Sequence, residues 1–176
     1  MTGEEEHGSR ELIQAFDRQF DRLHRRSCAV VSATPVEVFY KTPAAAPARS
    51  TGDYLLRSAA AVERTFGGIT ANLWDDPFEW TLPENLSTAA RVQEYLEEVE
   101  ATRRRAFARF KTDADLLKEV LVPAGNTVSL VSLLTETLVK AADLQGRAIA
   151  TRSLVSEGQV PETKDEKQTP LTTVIK

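Results

Sequence analysis

The chain has one cysteine, Cys28, and two histidines, His7 and His24, among its 176 residues. A lone cysteine excludes an intramolecular disulfide framework, so packing and hydrogen bonds must hold the fold. Long apolar runs are missing too. Nothing approaches the ~20 residues that a membrane-spanning helix needs. The opening Met1-Thr2-Gly3-Glu4-Glu5-Glu6 is acidic and lacks the apolar core of a signal peptide. The expectation is a cytoplasmic protein with no membrane partner. Nor is there an excess of positive charge: the formal net charge is −4 and the pI about 5.3. That argues against a nucleic-acid partner unless the basic residues segregate on one face. They cluster modestly at Arg22–Arg26 and at Arg103-Arg104-Arg105, each beside acidic neighbours, and read as solvated helix faces.

What is present is ordinary for a globular domain, with 41% hydrophobic and 27% charged residues. The length suits one domain with a real core and a tail left over. Residues 1–9 read as a flexible N-terminus, 10–155 as the domain and 156–176 as a polar tail. Within that tail Leu171-Thr172-Thr173-Val174-Ile175 is apolar enough to add a strand or dock on a partner.

Hydrophobic spacing predicts an all-α fold. Leu12, Phe16, Phe20, Leu23, Ser27 and Val30 recur every three or four residues, giving a first helix from about Arg10 to Ala33. Thr34-Pro35 stops it. Three prolines between Pro35 and Arg49 predict an extended connection. Ser50 or Thr51 then caps a second helix, with Asp53 near its positive end, and Leu55, Ala59, Val62, Phe66, Ile69 and Leu73 form its stripe. Gly67-Gly68 interrupts this helix and suggests a close crossing with another one. Ser87 caps a third helix carrying Val92, Leu96, Val99, Ala106 and Phe110. Thr112-Asp113-Ala114-Asp115 opens a short extra helix through about Val120. Pro123-Ala124-Gly125-Asn126 breaks the chain, and Asn126 or Thr127 caps a fourth long helix. That last helix is apolar around much of its circumference and is expected to be the most buried.

Two clusters outside the stripes invite a chemical reading. Trp74-Asp75-Asp76-Pro77-Phe78-Glu79-Trp80 holds three carboxylates, but their spacing follows no metal-loop template. Trp74, Phe78 and Trp80 are expected to fold over the end of the helices or to enter a dimer contact. His24 stands four residues before Cys28 on one side of the first helix. Helical adjacency supplies neither a lowered thiol pKa nor a third orienting group, so Cys28 reads as a small buried side chain rather than a nucleophile.

Two motifs carry a family resemblance. Ser50-Thr51-Gly52-Asp53-Tyr54-Leu55-Leu56-Arg57 resembles the S-x-G-E-x-L-x-H that opens the second helix of the DinB/YfiT-like four-helix-bundle superfamily. Leu138-Val139-Lys140-Ala141-Ala142-Asp143-Leu144-Gln145-Gly146-Arg147 resembles its closing H-x-x-x-H-x-G-Q. The resemblance spans about Glu11 to Leu154 and implies a four-helix bundle with long connections, commonly a homodimer. Members that keep three histidines include metal-dependent thiol transferases and a maleylpyruvate isomerase. Here those metal positions hold Arg57, Lys140 and Leu144, so no metal and no cofactor is expected. The nearby carboxylates Asp53, Glu63, Glu136 and Asp143 do not restore the set: Asp143 points about 100° away from Leu144, and Glu136 suits an i, i+4 pair with Lys140.

The resemblance places Arg57 and Lys140 on one cleft, where two fixed positive charges and the Tyr54 hydroxyl could hold an anion. The alternative is that each cation pairs locally while Leu144 packs the cleft shut. The expected function is therefore a domain that acts by ligand or protein binding rather than as a metal-dependent enzyme. The rival is a metal-independent, transferase-like enzyme acting on an anionic or thiol-bearing small molecule around Arg57 and Lys140. A structural homodimer with its interface at Trp74–Trp80 is a third reading.

Overall fold

Local capping signals divide the chain into helices, and the computed structural model, which describes residues 9–43, 49–75 and 86–156, is mostly helical. The expectations for residues 1–8, for Phe78 and Trp80, for the alanines after Pro43 and for the tail from 157 onward fall outside the described residues.

Helix α1 spans Glu11–Ser32 and buries Ile13, Phe20, Leu23, Ser27, Val30 and Val31. Leu12, expected on that stripe, is 54% exposed, and Ile13 takes its place. Arg10 offers no side-chain cap. Instead the Asp113 carboxylate accepts the N–H groups of Ile13 at 3.0 Å and Leu12 at 3.2 Å. A residue about 100 positions away thus caps the first turn, whose N–H groups have no partner within the helix.

After Pro35 the chain makes one helical turn, α2 (Val36–Phe39), where an extended connection was expected. A proline just ahead of a turn is no obstacle, because first-turn N–H groups lack intrahelical acceptors anyway. Tight packing follows. A Cβ on Gly52 would meet Tyr40 at 2.6 Å and Phe39 at 2.7 Å, so the second-helix motif needs its glycine.

Helix α3 (Thr51–Ala71) opens on a capping box between Ser50 and Asp53 and ends on Asn72 in the left-handed conformation, φ 56°. Among the described residues no second helix meets Gly67 or Gly68 closely. The Trp74 ring folds back onto Gly68, which is why that position carries no side chain. Leu73, at the end of the predicted stripe, is 60% exposed because the helix has already stopped. Helix α4 (Ala89–Phe107) is capped by Thr88 rather than Ser87, and Phe110 lies beyond its end although it is still buried.

The short extra helix is a 3₁₀ segment, Asp113–Leu117, and stops earlier than predicted. Strand β1 (Glu119–Leu121) follows and pairs antiparallel with β2 (Thr127–Ser129), with Val120 opposite Val128. Gly125, at φ +80°, lies in the connecting turn. Three-residue strands are too short to show an alternation, so the hairpin was not legible and the cap of the last helix was placed too early. Ser129, not Asn126 or Thr127, caps α5 (Leu130–Val155).

Helix α3 packs on α5 and α4, and α1 packs on α4 and α5. One apolar cluster centres on rings: Phe20 meets Phe66 edge-on at 5.1 Å, and Phe107 lies 5.5 Å from Phe66. Such pairs contribute about 0.5–1.5 kcal/mol beyond area burial. The other cluster joins Val30, Val31, Leu55, Leu56, Val92 and Leu96. The most buried helix is α3, with 11 of 21 residues buried, against 8 of 26 in α5. Apolar composition misled here, because Val139, on the outer side of α5, is 64% exposed.

Asp113→Ala should lower the thermal unfolding midpoint by a few degrees by removing the cap on α1. Asp113→Asn, which keeps an acceptor, should lose less in the same melting experiment.

Candidate functional site

Two side-chain hydrogen bonds form a seam between α3 and α5, the helices that carry the two motifs. Ser58 donates its hydroxyl to the Ala141 carbonyl at 2.7 Å, and Thr65 and Thr137 share a hydrogen bond of 2.7 Å one to two turns away. Two such bridges, with α3 rising as α5 descends, make the helices antiparallel. Arg57 and Lys140 each stand one residue before a partner of the Ser58–Ala141 bridge in the chain. Tyr54, one turn before Arg57, faces Arg147, and Asp143 accepts the Arg147 Nε–H at 2.9 Å. Asp143 first, and then Tyr54, hold the Arg147 guanidinium above its ordinary pKa.

Exposure differs along this seam. Lys140 is exposed, while Tyr54, Arg57 and Leu144 are half-buried and Arg57 is engaged by its surroundings. The expected Glu136–Lys140 pair does not form among the described residues, and both side chains face solvent. Gln145, which the motif reading passed over, is buried and donates to the Leu23 carbonyl at 2.8 Å and to Ser27 Oγ at 2.7 Å, tying α5 to α1. Among the described residues a Cβ on Gly146 would meet nothing within 4 Å.

A second polar constellation lies between α1 and α4. Glu100 is 3% exposed and Arg103 2%, so the expectation of a solvated face at Arg103-Arg104-Arg105 fails for Arg103. Arg103 donates Nε–H and Nη2–H to the two Glu100 oxygens at 2.7 and 2.6 Å and also pairs with Asp17 on α1. Arg104 donates to Glu100 at 2.6 Å from the solvent side. A buried charge is tolerated only when paired and hydrogen-bonded, and this pair meets both conditions. Burial pushes the Glu100 carboxyl up, but the hydrogen bonds from Arg103 and Arg104 outweigh it and hold the group below the usual carboxylate range. The sequence did carry a signal. Val92, Leu96, Val99 and Ala106 leave a gap in their three-four spacing, and Arg103 fills it.

Beside this pair, His24 and Cys28 on α1 meet Glu97 on α4. His24 Nε2 is 3.7 Å from Cys28 Sγ and 3.4 Å from a Glu97 oxygen. Burial, followed by the Glu97 and Glu100 charges, raises the Cys28 thiol to about 11. The half-buried thiol is therefore mostly protonated at neutral pH.

Two cavities border these elements. One of about 30 Å³ lies between α1, α3 and α4, with His24, Ser27, Ser58, Glu100 and Arg103 on its polar wall. It suits one or two waters, not an organic ligand. The other, about 390 Å³, is an open groove between the ends of α3 and α4, lined by Glu63, Arg64, Thr70, Asp75, Thr102 and Arg105. Neither includes Tyr54, Arg57 or Lys140.

No family model matches the chain, and no curated protein or solved structure matches it either. Among the described residues no helix is long and apolar enough to cross a membrane.

Arg103→Ala should destabilise the protein by about 3 kcal/mol. That is the low end of the cost of orphaning a buried charge, because Arg104 remains to shield Glu100. Because the folded-state pKa of Glu100 is lowered, the unfolded chain takes up this proton first. The contribution is complete above the ordinary value of 4.5 and is lost as pH falls through the folded value. Urea melts between neutral and acid pH should show Glu100→Gln with a flatter acid limb than the parent.

Proposed function

We propose that residues 10–155 are a DinB-like four-helix bundle built from α1, α3, α4 and α5, and that it acts by binding a small anionic ligand. In this proposal fixed cations replace the divalent metal of the family, and no metal-dependent catalysis takes place at Arg57, Lys140 and Leu144. The observation that supports it is the Ser58–Ala141 bridge between α3 and α5, whose partners Arg57 and Lys140 adjoin in sequence, with Tyr54 one turn before Arg57 and Arg147 two turns after Lys140. Guanidinium groups bind carboxylate or phosphate as planar forks, and lysine adds a point charge. The exposure of Lys140 favours binding over transferase-like catalysis, which gains its electrostatic strength from excluding water.

Inorganic phosphate or pyrophosphate should raise the melting temperature, more at low salt than at high. Ligand at ~100 times its dissociation constant stabilises by about 2.7 kcal/mol, a shift of several degrees at this size. Salt weakens the effect because exposed charges are screened within about 10 Å at 0.1 M. Arg57→Ala should abolish the shift and Lys140→Ala should reduce it. An Arg57→Ala protein that responds like the parent overturns the reading.

Homodimerisation belongs to the same proposal. Trp74 is partly taken up by its own chain, where it covers Gly68 and its indole N–H donates to Asn72 Oδ1 at 3.0 Å. The outward side of α5 also exposes Val139 and Leu154. Light scattering at micromolar concentration should give twice the monomer mass, and Val139→Lys should lower it.

A further inference from the structure

We infer that His24, Cys28 and Glu97 form a binding site for a borderline-soft divalent cation of the zinc type. The three ligand atoms lie within 4.8 Å of one another, and among the described residues no other histidine, cysteine and carboxylate set is so gathered. The site uses α1 and α4. It is therefore distinct from the α3–α5 seam and from the positions of Arg57, Lys140 and Leu144, where no metal is expected.

Two of the three ligand separations fit tetrahedral coordination, and the third lies within 4.8 Å. With metal–nitrogen and metal–oxygen bonds of about 2.0–2.1 Å and a metal–sulfur bond of about 2.3 Å, tetrahedral ligands stand roughly 3.4 Å apart for N and O and roughly 3.6 Å for N and S. The observed separations are 3.4 Å from His24 Nε2 to Glu97 and 3.7 Å from His24 Nε2 to Cys28 Sγ. Hydrogen bonding serves the cluster less well. Nε2, the ring nitrogen nearest to both, offers a single hydrogen or a single lone pair, and Nδ1 reaches Cys28 Sγ only at a long 4.0 Å. A cation centred among the three satisfies all of them.

The residue types and surroundings agree. Thiolate and imidazole together select zinc-like ions over calcium or magnesium. His24 and Cys28, four apart on α1, present their ligand atoms on one side of the helix, and Glu97 closes the set from α4. The Glu100 carboxylate lies close enough to His24 to interact electrostatically and adds negative potential. Arg103 and Arg104 fix that carboxylate from behind. Glu97 is largely exposed, which leaves an entry path and a fourth position for water. On uptake a metal–sulfur bond forms and the thiol proton passes to solvent, with no change of oxidation state.

The experiment is a titration of tag-free full-length protein with cobalt(II), the spectroscopic stand-in for zinc. A thiolate-to-cobalt charge-transfer band should grow to saturation at one equivalent and collapse when zinc is added. Cys28→Ser should abolish it. His24→Ala and Glu97→Gln should each weaken cobalt binding by more than the tenfold or so typical of losing an outer-shell partner, and His7→Ala should leave it unchanged. Glu97 is exposed, so Glu97→Gln keeps the fold intact and the test decisive. Absence of the band in the parent, or full affinity in both His24→Ala and Glu97→Gln, overturns the site. Zinc should also slow alkylation of Cys28 in the parent but not in Glu97→Gln. None of these readouts depends on anion binding at Arg57.

Discussion

Two charges that cannot stay buried alone dictate much of how the first and fourth helices meet. Glu100 and Arg103 lie one turn apart on α4 and point inward, beside the Phe20–Phe66–Phe107 rings. Their bidentate pairing satisfies the carboxylate, and Asp17 on α1 takes the remaining guanidinium edge. The guanidinium carbon also lies 5.4 Å from the Phe107 ring centroid, so the pair is continuous with the aromatic cluster. A shift of α1 along α4 would break the Asp17 contact and uncover the ion pair together. Desolvated ion pairs tolerate such displacement poorly, whereas apolar contacts slide at little cost. The register of these two helices is held by charge, and the apolar stripes supply the bulk attraction.

The same device recurs in gentler form along α5. Thr137, Ala141 through its carbonyl, Gln145 and Arg152 each make a hydrogen bond to a neighbouring helix or its end, reaching Thr65, Ser58, Leu23 with Ser27, and Ala33. This is a row of polar contacts at four- to seven-residue intervals, on the side of a helix whose composition reads as apolar. Polar pairs inside a core are directional, so they select one rotation of α5 about its axis. That rotation in turn brings Arg147 to Tyr54 on α3 and turns Val139 to solvent.

The proposed anion seam and the proposed cation site thus rest on different helices and on opposite electrostatics. One gathers Arg57, Lys140 and Arg147 along α3–α5. The other gathers Cys28, Glu97 and Glu100 along α1–α4. Overall charge near neutrality is compatible with both, because segregation of charge and not its sum creates a local field.

Helix positions were legible from local information. Capping residues such as Ser50 with Asp53, the stop at Thr34-Pro35 and the three-four spacing around Phe20 and Phe66 act within a few residues, and they gave α1, α3 and α5 nearly to their ends. The hairpin escaped because its strands are shorter than any period can reveal. The Gly68–Trp74 contact escaped because a glycine in a helix announces close approach but not the partner. The polar interior was less legible than the helices. Arg57 and Lys140 were named from their places in two motifs, whereas Glu97, Glu100 and Arg103 looked like solvated charges. By itself the sequence determined which segments are helical and which side of each is apolar, since those follow from propensity and period. Only the tertiary structure decided which charges enter the interior and which side chains from distant helices meet. Burial of a charge depends on a partner across the core, and no local pattern specifies one.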